Sequence, residues 1–229
     1  LGIGWAVIQP IFSMIVFTIV FGKLAKINSD GVPYAIFSYT ALVPWTYFSG
    51  ALTGASGSLL GASGMMTKVY FPRLIIPMAP VMSKLIDFGI AFVILLLMMA
   101  YFGFMPSIQI IYLPLLILIM MITASGMGMW LTALAVQYRD INYAMSFFVQ
   151  LLMYAAPVVY PASIIPEPFR LIYGCFPMVG VIEGFRSILL KTNPMPWDLI
   201  GVGSIVACFL FISGAFYFRR MEKYFADVA

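Results

Sequence analysis

Three pairs of opposite charges stand out in a chain that carries few charges at all. Lys84 and Asp87, and Glu183 and Arg186, are each three residues apart, the spacing at which two side chains on one helix meet and pair. Arg139 and Asp140 are adjacent in a short polar stretch, where an exposed pair contributes little. The residues of ordinary catalysis are missing around them. There is no histidine, which removes the usual proton shuttle, nucleophile-activating base and commonest metal ligand. Cys175 and Cys208 are isolated and cannot make a zinc or iron–sulfur site; Cys208, inside an apolar run, is expected to be a small buried thiol. The carboxylates are scattered, and only Glu167 and Glu183 lie where a hairpin could bring them together. Gly61 to Lys68 has some features of a phosphate loop, but Thr67 stands where glycine is required and an apolar run, not a strand, precedes it. No catalytic residue and no metal site is assigned, and the sequence shows no means of hydrolysing ATP.

The elements that must position these pairs are built for lipid. The chain is 63% hydrophobic and 9% charged, with a mean hydropathy of +1.06, which places it among integral membrane proteins. Its apolar runs suit helices of about 20 residues and are too continuous for an outer-membrane barrel. The excess of +4 then marks loops facing the cytoplasm or anionic headgroups, with no nucleic-acid partner implied. About six spans are expected: Trp5 to Phe21, Tyr34 to Leu60, Pro77 to Phe102, Ile110 to Val136, Tyr143 to Tyr160 and Asp198 to Phe218. Trp5 to Phe21 lacks a basic n-region and a cleavage site, so it reads as a span of an N-terminally incomplete chain rather than a signal peptide. Gly50/Gly54 and Gly57/Gly61 put small residues on one helical face, for close packing or for a hinge.

Residues 161–197 are different. Pro161, Pro166, Pro168, Pro177, Pro194 and Pro196 bound apolar pieces too short to span, Phe169 to Phe176 and Val179 to Leu190. Such pieces fit a re-entrant or interfacial helical hairpin, whose second arm would carry Glu183 and Arg186. With an even number of spans, Lys68, Arg73, Arg139, Arg219, Arg220 and Lys223 share one side, against Lys23, Lys26, Arg170, Arg186 and Lys191 on the other. The positive-inside rule favours the first side as cytoplasmic by a narrow margin.

Lys68-Val69-Tyr70-Phe71-Pro72-Arg73 is a basic, aromatic, proline-broken stretch between two apolar runs. It suits either an anchor at the bilayer surface or a docking point for a soluble partner. Aromatic residues make up 16% of the chain. Trp5, Phe12, Trp45, Tyr47, Phe147, Tyr154 and Tyr160 fall in or near the first, second and fifth spans. They suit the aromatic belts of membrane interfaces, and also a path along which sugars stack.

The order of these pieces resembles the membrane subunit of type-2 ABC transporters that export lipid-linked polysaccharide such as O-antigen, capsule or teichoic acid. The resemblance rests on Leu1-Gly-x-x-Trp5 with Pro10, Pro44-Trp45, Lys68 to Arg73, Tyr138-Arg-Asp-Ile141, Ala156-Pro-Val-Val-Tyr160 with Ile165-Pro166, and Arg186. It covers essentially the whole chain as one permease domain, 1–229. One departure is visible: Phe176-Pro177 stands where relatives often carry Asn-Pro, and the resemblance further implies that the family's N-terminal amphipathic helix is missing before Leu1.

The resemblance implies an all-α fold of six transmembrane helices, with a re-entrant hairpin between the fifth and sixth, in the bacterial inner (cytoplasmic) membrane. It implies a homodimer with two cytoplasmic nucleotide-binding subunits, which hold ATP and magnesium while this chain binds no cofactor. Lys68 to Arg73, with Tyr138, Arg139 and Asp140, would dock on those subunits. Motion transmitted there would open a path for lipid-linked glycan between first and fifth spans, lined by the aromatics above. Pro166, Pro177, Glu183 and Arg186 would form its outer gate. Rival readings are a drug or lipid exporter of the same superfamily, an integral-membrane acyl or glycan transferase, for which the missing histidine is adverse, and a passive channel or scaffold.

Overall fold

In a computed structural model the described residues are 2–62, 64, 71–138 and 140–222. Every regular element among them is helical: α1 Gly2–Phe17, α2 Tyr34–Gly61, α3 Ile75–Phe102, α4 Leu113–Gln137, α5 Asp140–Ala155, α6 Glu167–Gly174, α7 Pro177–Leu190 and α8 Trp197–Met221. A π-helical stretch, Thr18–Leu24, prolongs α1, and a short 3-10 turn, Ile108–Tyr112, leads into α4.

Four stretches are long and apolar enough to cross a bilayer, Val7–Leu24, Ile75–Phe102, Ile108–Gln137 and Trp197–Met221, and a fifth if α6 and α7 count as one bent span. All six helices expected from the sequence form, but two of them do not reach that standard. At 28 residues α2 is long enough, about 42 Å. Its serines, threonines, tyrosines and glycines dilute its hydropathy because its neighbours are protein, not lipid. It packs against α1, α3, α4, α5 and α7, and is the hub of the fold. The fifth helix, expected to run to Tyr160, stops at Ala155 after 16 residues, just before Pro157, which has no N–H to continue the ladder.

Buried hydroxyls on α2 find carbonyls nearby. Thr40 donates to Ile36 O at 2.8 Å, and Tyr47 donates to Val81 O of α3 at 3.1 Å. The first glycine pair packs as expected: a Cβ at Gly50 would meet the Lys84 stem at 3.4 Å, and one at Gly54 would meet Pro80 at 2.9 Å. The second pair does not, since among the described residues nothing lies within 4 Å of a Cβ placed at Gly57 or Gly61. Helices α4 and α8 come close together, and a Cβ on Gly126 would stand 2.6 Å from the Phe211 backbone nitrogen. Trp130 stacks on Tyr217 across the same seam, centroids 4.2 Å apart, and donates to Ser213 Oγ at 3.1 Å. Cys208 is exposed on α8, not buried as expected: an apolar run leaves one face outward whichever residue it carries.

Gly126→Val should force α4 and α8 apart and cost about 1–3 kcal/mol, measured as thermal stability in detergent against Gly57→Ala as a neutral control. Equal stability of the two variants would contradict this packing.

Candidate functional site

After Ala155 the chain leaves the helix and runs irregularly to Pro161, burying Ala156, Val158 and Val159. Backbone in that state has lost its intrahelical partners, and within a membrane protein something must replace them. Three successive carbonyls are met by side chains. Arg186 Nη2 donates to Val158 O at 3.0 Å, Tyr34 Oη donates to Val159 O at 2.6 Å, and Arg186 Nη1 donates to Tyr160 O at 3.2 Å.

Arg186 is held for this task by two further contacts. Its Nη1 lies 2.8 Å from Glu183 Oε1, one turn back on α7, with side-chain exposures of 1% and 8%. Its Cζ sits 3.6 Å from the centroid of the Phe37 ring on α2. Glu183 Oε1 also accepts from Ala162 N at 3.2 Å, which fixes the far end of the irregular run. All of α7 is buried, so the pair could not exist there as separate charges. Proline shapes both flanks: Pro166 precedes α6, Pro177 opens α7, and the two helices meet at a bend of 107°. Phe176, in the place of the expected asparagine, packs its ring edge-on against Phe48 at 6.0 Å. The four residues read as an outer gate thus belong to one structure, a bend with an ion pair at its heart.

The same end of the fold carries a second set of polar ties. Asp30 accepts from Asn193 Nδ2 at 2.9 Å and from Ser163 Oγ at 3.4 Å, joining the loop after α1 to both flanks of the bend. Arg170 Nε lies 2.9 Å from Asp198 Oδ2. A cavity of about 270 Å³ opens between these ties, with Glu183 among its walls.

The aromatic residues divide. Trp5 and Phe12 on α1, and Phe147 and Tyr154 on α5, are exposed, at 50% or more each. On α5 they continue a stripe with Tyr143 and Leu151, four or three residues apart, along one face. Trp45 and Tyr47 are core residues instead, with 4% and 2% exposure. Tyr160 sits beyond α5, where its hydroxyl donates to Tyr154 O at 2.8 Å and accepts from Tyr173 Oη at 3.2 Å. Hydropathy treats a lipid-facing, pore-facing and buried ring alike, which is why the sequence grouped them.

Lys68, Val69, Tyr70 and Arg139 lie outside the described residues. Phe71 is half-buried against a second core formed by Leu59, Ile76 and Phe218 among others. Arg73 Nη1 donates to Glu222 O at 2.7 Å, with its Nε 3.9 Å from the Glu222 carboxylate. Pro72, Tyr138 and Asp140 are exposed. Phe71 and Arg73 therefore serve their own chain, tying the start of α3 to the end of α8. The sequence had no signal for this, because the partner lies 149 residues away. Among the described residues no three carboxylates or thiols come together to hold a metal ion.

A many-helix membrane protein with a proline-bent, ion-paired turn is the class these features define. The chain belongs to the ABC-2 type transporter family, whose profile matches residues 1–190. It is 24% identical over 227 residues to the O-antigen export system permease protein RfbA of Myxococcus xanthus, covering 98% of this chain and 86% of that one. It is 23% identical over 229 residues to a protein of the same name from Klebsiella pneumoniae, covering 100% of this chain and 87% of that one.

Arg186→Met should leave a buried Glu183 carboxylate unpaired and two carbonyls uncapped, at a cost of about 3–5 kcal/mol. Arg186→Lys should recover less than half of it, since one ammonium cannot span two carbonyls and a carboxylate while lying on Phe37. Thermal unfolding in detergent measures both, and an Arg186→Met protein as stable as the native one would contradict the assignment.

Proposed function

We propose that this chain is the transmembrane subunit of an ATP-driven exporter that moves lipid-linked polysaccharide outward across the bacterial cytoplasmic membrane, energised by separate ATP-binding subunits. The observation that carries the reading is the likeness, over nearly the whole chain, to two permeases of O-antigen export. In this reading α1 to α5 and α8 are six spans of a single permease domain, and α6 and α7 dip back into the outer leaflet as a re-entrant hairpin. Burial on every side of α7 suits that position, because a short helix with irregular flanks is tolerated at membrane depth only inside protein.

Two copies pair with two ATP-binding subunits. The exposed stripes of α1 and α5, with Trp5, Phe12, Phe147 and Tyr154, face each other across the dimer and offer stacking surfaces to sugar. The bend with Glu183 and Arg186 closes the outer end. At the cytoplasmic end, Lys68 to Arg73, with Tyr138 to Asp140, docks on the ATP-binding subunit. Arg73 lies between this segment and Glu222, so a push on the segment reaches α3 directly and α8 through that tie. The two helices then move as a rigid pair rather than flexing separately.

Coexpression with the ATP-binding subunit tests this. Tyr70→Ala should weaken co-purification at least about tenfold, as loss of an aromatic anchor at an interface does, and should abolish surface glycan in the host. The single variant is the sharper one, since Phe71 also packs against its own core. An intact complex with normal ATP-coupled export would contradict the docking assignment, and surface glycan that persists after deletion of this chain would contradict the function.

A further inference from the structure

Lys84 lies nine residues beyond the start of α3, about 14 Å along the helix, where charge is expensive unless it meets protein or a wet cavity. It pairs with Asp87 at 2.7 Å, yet each side chain stays 41% exposed. The pair opens onto a cavity of about 170 Å³ between α1, α2 and α3. Gly50 lies beside it, where a Cβ would just touch the Lys84 stem, at 3.4 Å.

The cavity wall is unusually rich in unused polar capacity for a site among membrane helices. Gln9 contributes an exposed carboxamide from α1. The Thr46 hydroxyl donates to Val43 O and the Ser49 hydroxyl to Thr46 O, which leaves both oxygens able to accept. Lys84 uses one proton on Asp87 Oδ2 and retains two, while Asp87 Oδ1 keeps its acceptor sites. The Trp5 indole stands at the mouth, 58% exposed.

We propose that this cavity is a binding site for one neutral sugar ring. Trp5 stacks on a C–H face, Asp87 and the two hydroxyls accept from ring hydroxyls, and Lys84 and Gln9 donate to ring oxygens. One cation beside one carboxylate leaves the cavity without net charge, which suits a neutral ring better than a phosphate. Its volume lies below the roughly 300–1,000 Å³ of drug-sized sites, so it accommodates a single unit of a chain and not a folded stretch. The assignment rests on the exporter reading, in whose orientation this end of α3 is the cytoplasmic one, where a glycan enters.

The test uses the whole transporter, this chain with its ATP-binding subunit in lipid nanodiscs. The probe is fluorescently labelled lipid-linked glycan from host cells lacking this chain, and binding is followed by anisotropy. Asp87→Asn and Trp5→Ala are each expected to weaken binding about tenfold, the loss of one charge-assisted hydrogen bond or one stacking surface. The swap Lys84→Asp/Asp87→Lys restores the ion pair but misplaces the carboxylate, so it is expected to remain weak while still assembling. Native binding by the swap would make the pair purely structural and overturn the site. Loss with Lys84→Gln but not with Asp87→Asn would point to an anionic group and overturn it equally, as would a native complex that binds no glycan. The exporter reading is judged separately, by whether surface glycan vanishes from the host when this chain is deleted.

Discussion

Backbone that leaves a helix inside a membrane protein must find its hydrogen bonds within the protein, and the end of this fold that holds α6 and α7 is organised around meeting that demand. Between Ala155 and Ala162 three consecutive carbonyls are met by Arg186 and Tyr34. One guanidinium thereby joins three parts of the chain: α7 that carries it, α2 whose Phe37 it lies on, and the irregular run that it caps. Glu183 makes the buried charge tolerable and ties down Ala162 as well. A buried pair of this kind is weak evidence for net stability. Its value here is geometric, since it fixes the path of the run that follows α5.

The same economy appears in α2. Because lipid offers no hydrophobic drive between helices, close packing and interhelical hydrogen bonds carry the association. Gly54 admits Pro80 of α3, and Ala55 O accepts from Thr132 of α4 at 2.7 Å. Gly126 and Gly214 do for α4 and α8 what Gly54 does for α2 and α3. The interior is thus a set of backbones brought near one another, and the large apolar side chains of α1, α3, α5 and α8 are free to point outward.

How far this was legible in the sequence follows from the range of the signals. Apolar runs and their bounding prolines are local, so all six long helices and both arms of the bend were expected near where they lie. The pairing of Glu183 with Arg186 was also local, at helical spacing. Their further partners were not: Phe37 and Val158 become neighbours of Arg186 only through the fold. Trp45 and Trp5 are indistinguishable by composition, yet one is buried in the hub helix and the other stands at a cavity mouth. Arg73 read as a charge of the docking segment alone because Glu222 is remote in sequence. The fifth helix was overestimated because apolar residues continue past Pro157, whereas the hydrogen-bond ladder does not.

Hydrogen exchange in nanodiscs tests the central claim directly, that side chains from α2 and α7 hold the irregular run in place of helical bonds. The amide of Ala162, bonded to Glu183, should exchange as slowly in the native protein as those of α2, and Glu183→Gln should speed it while leaving α2 protected. Exchange as fast as that of the polar loop at 25–33 in the native protein would mean that the ion pair does not hold this turn, and the account of this end of the fold would fail.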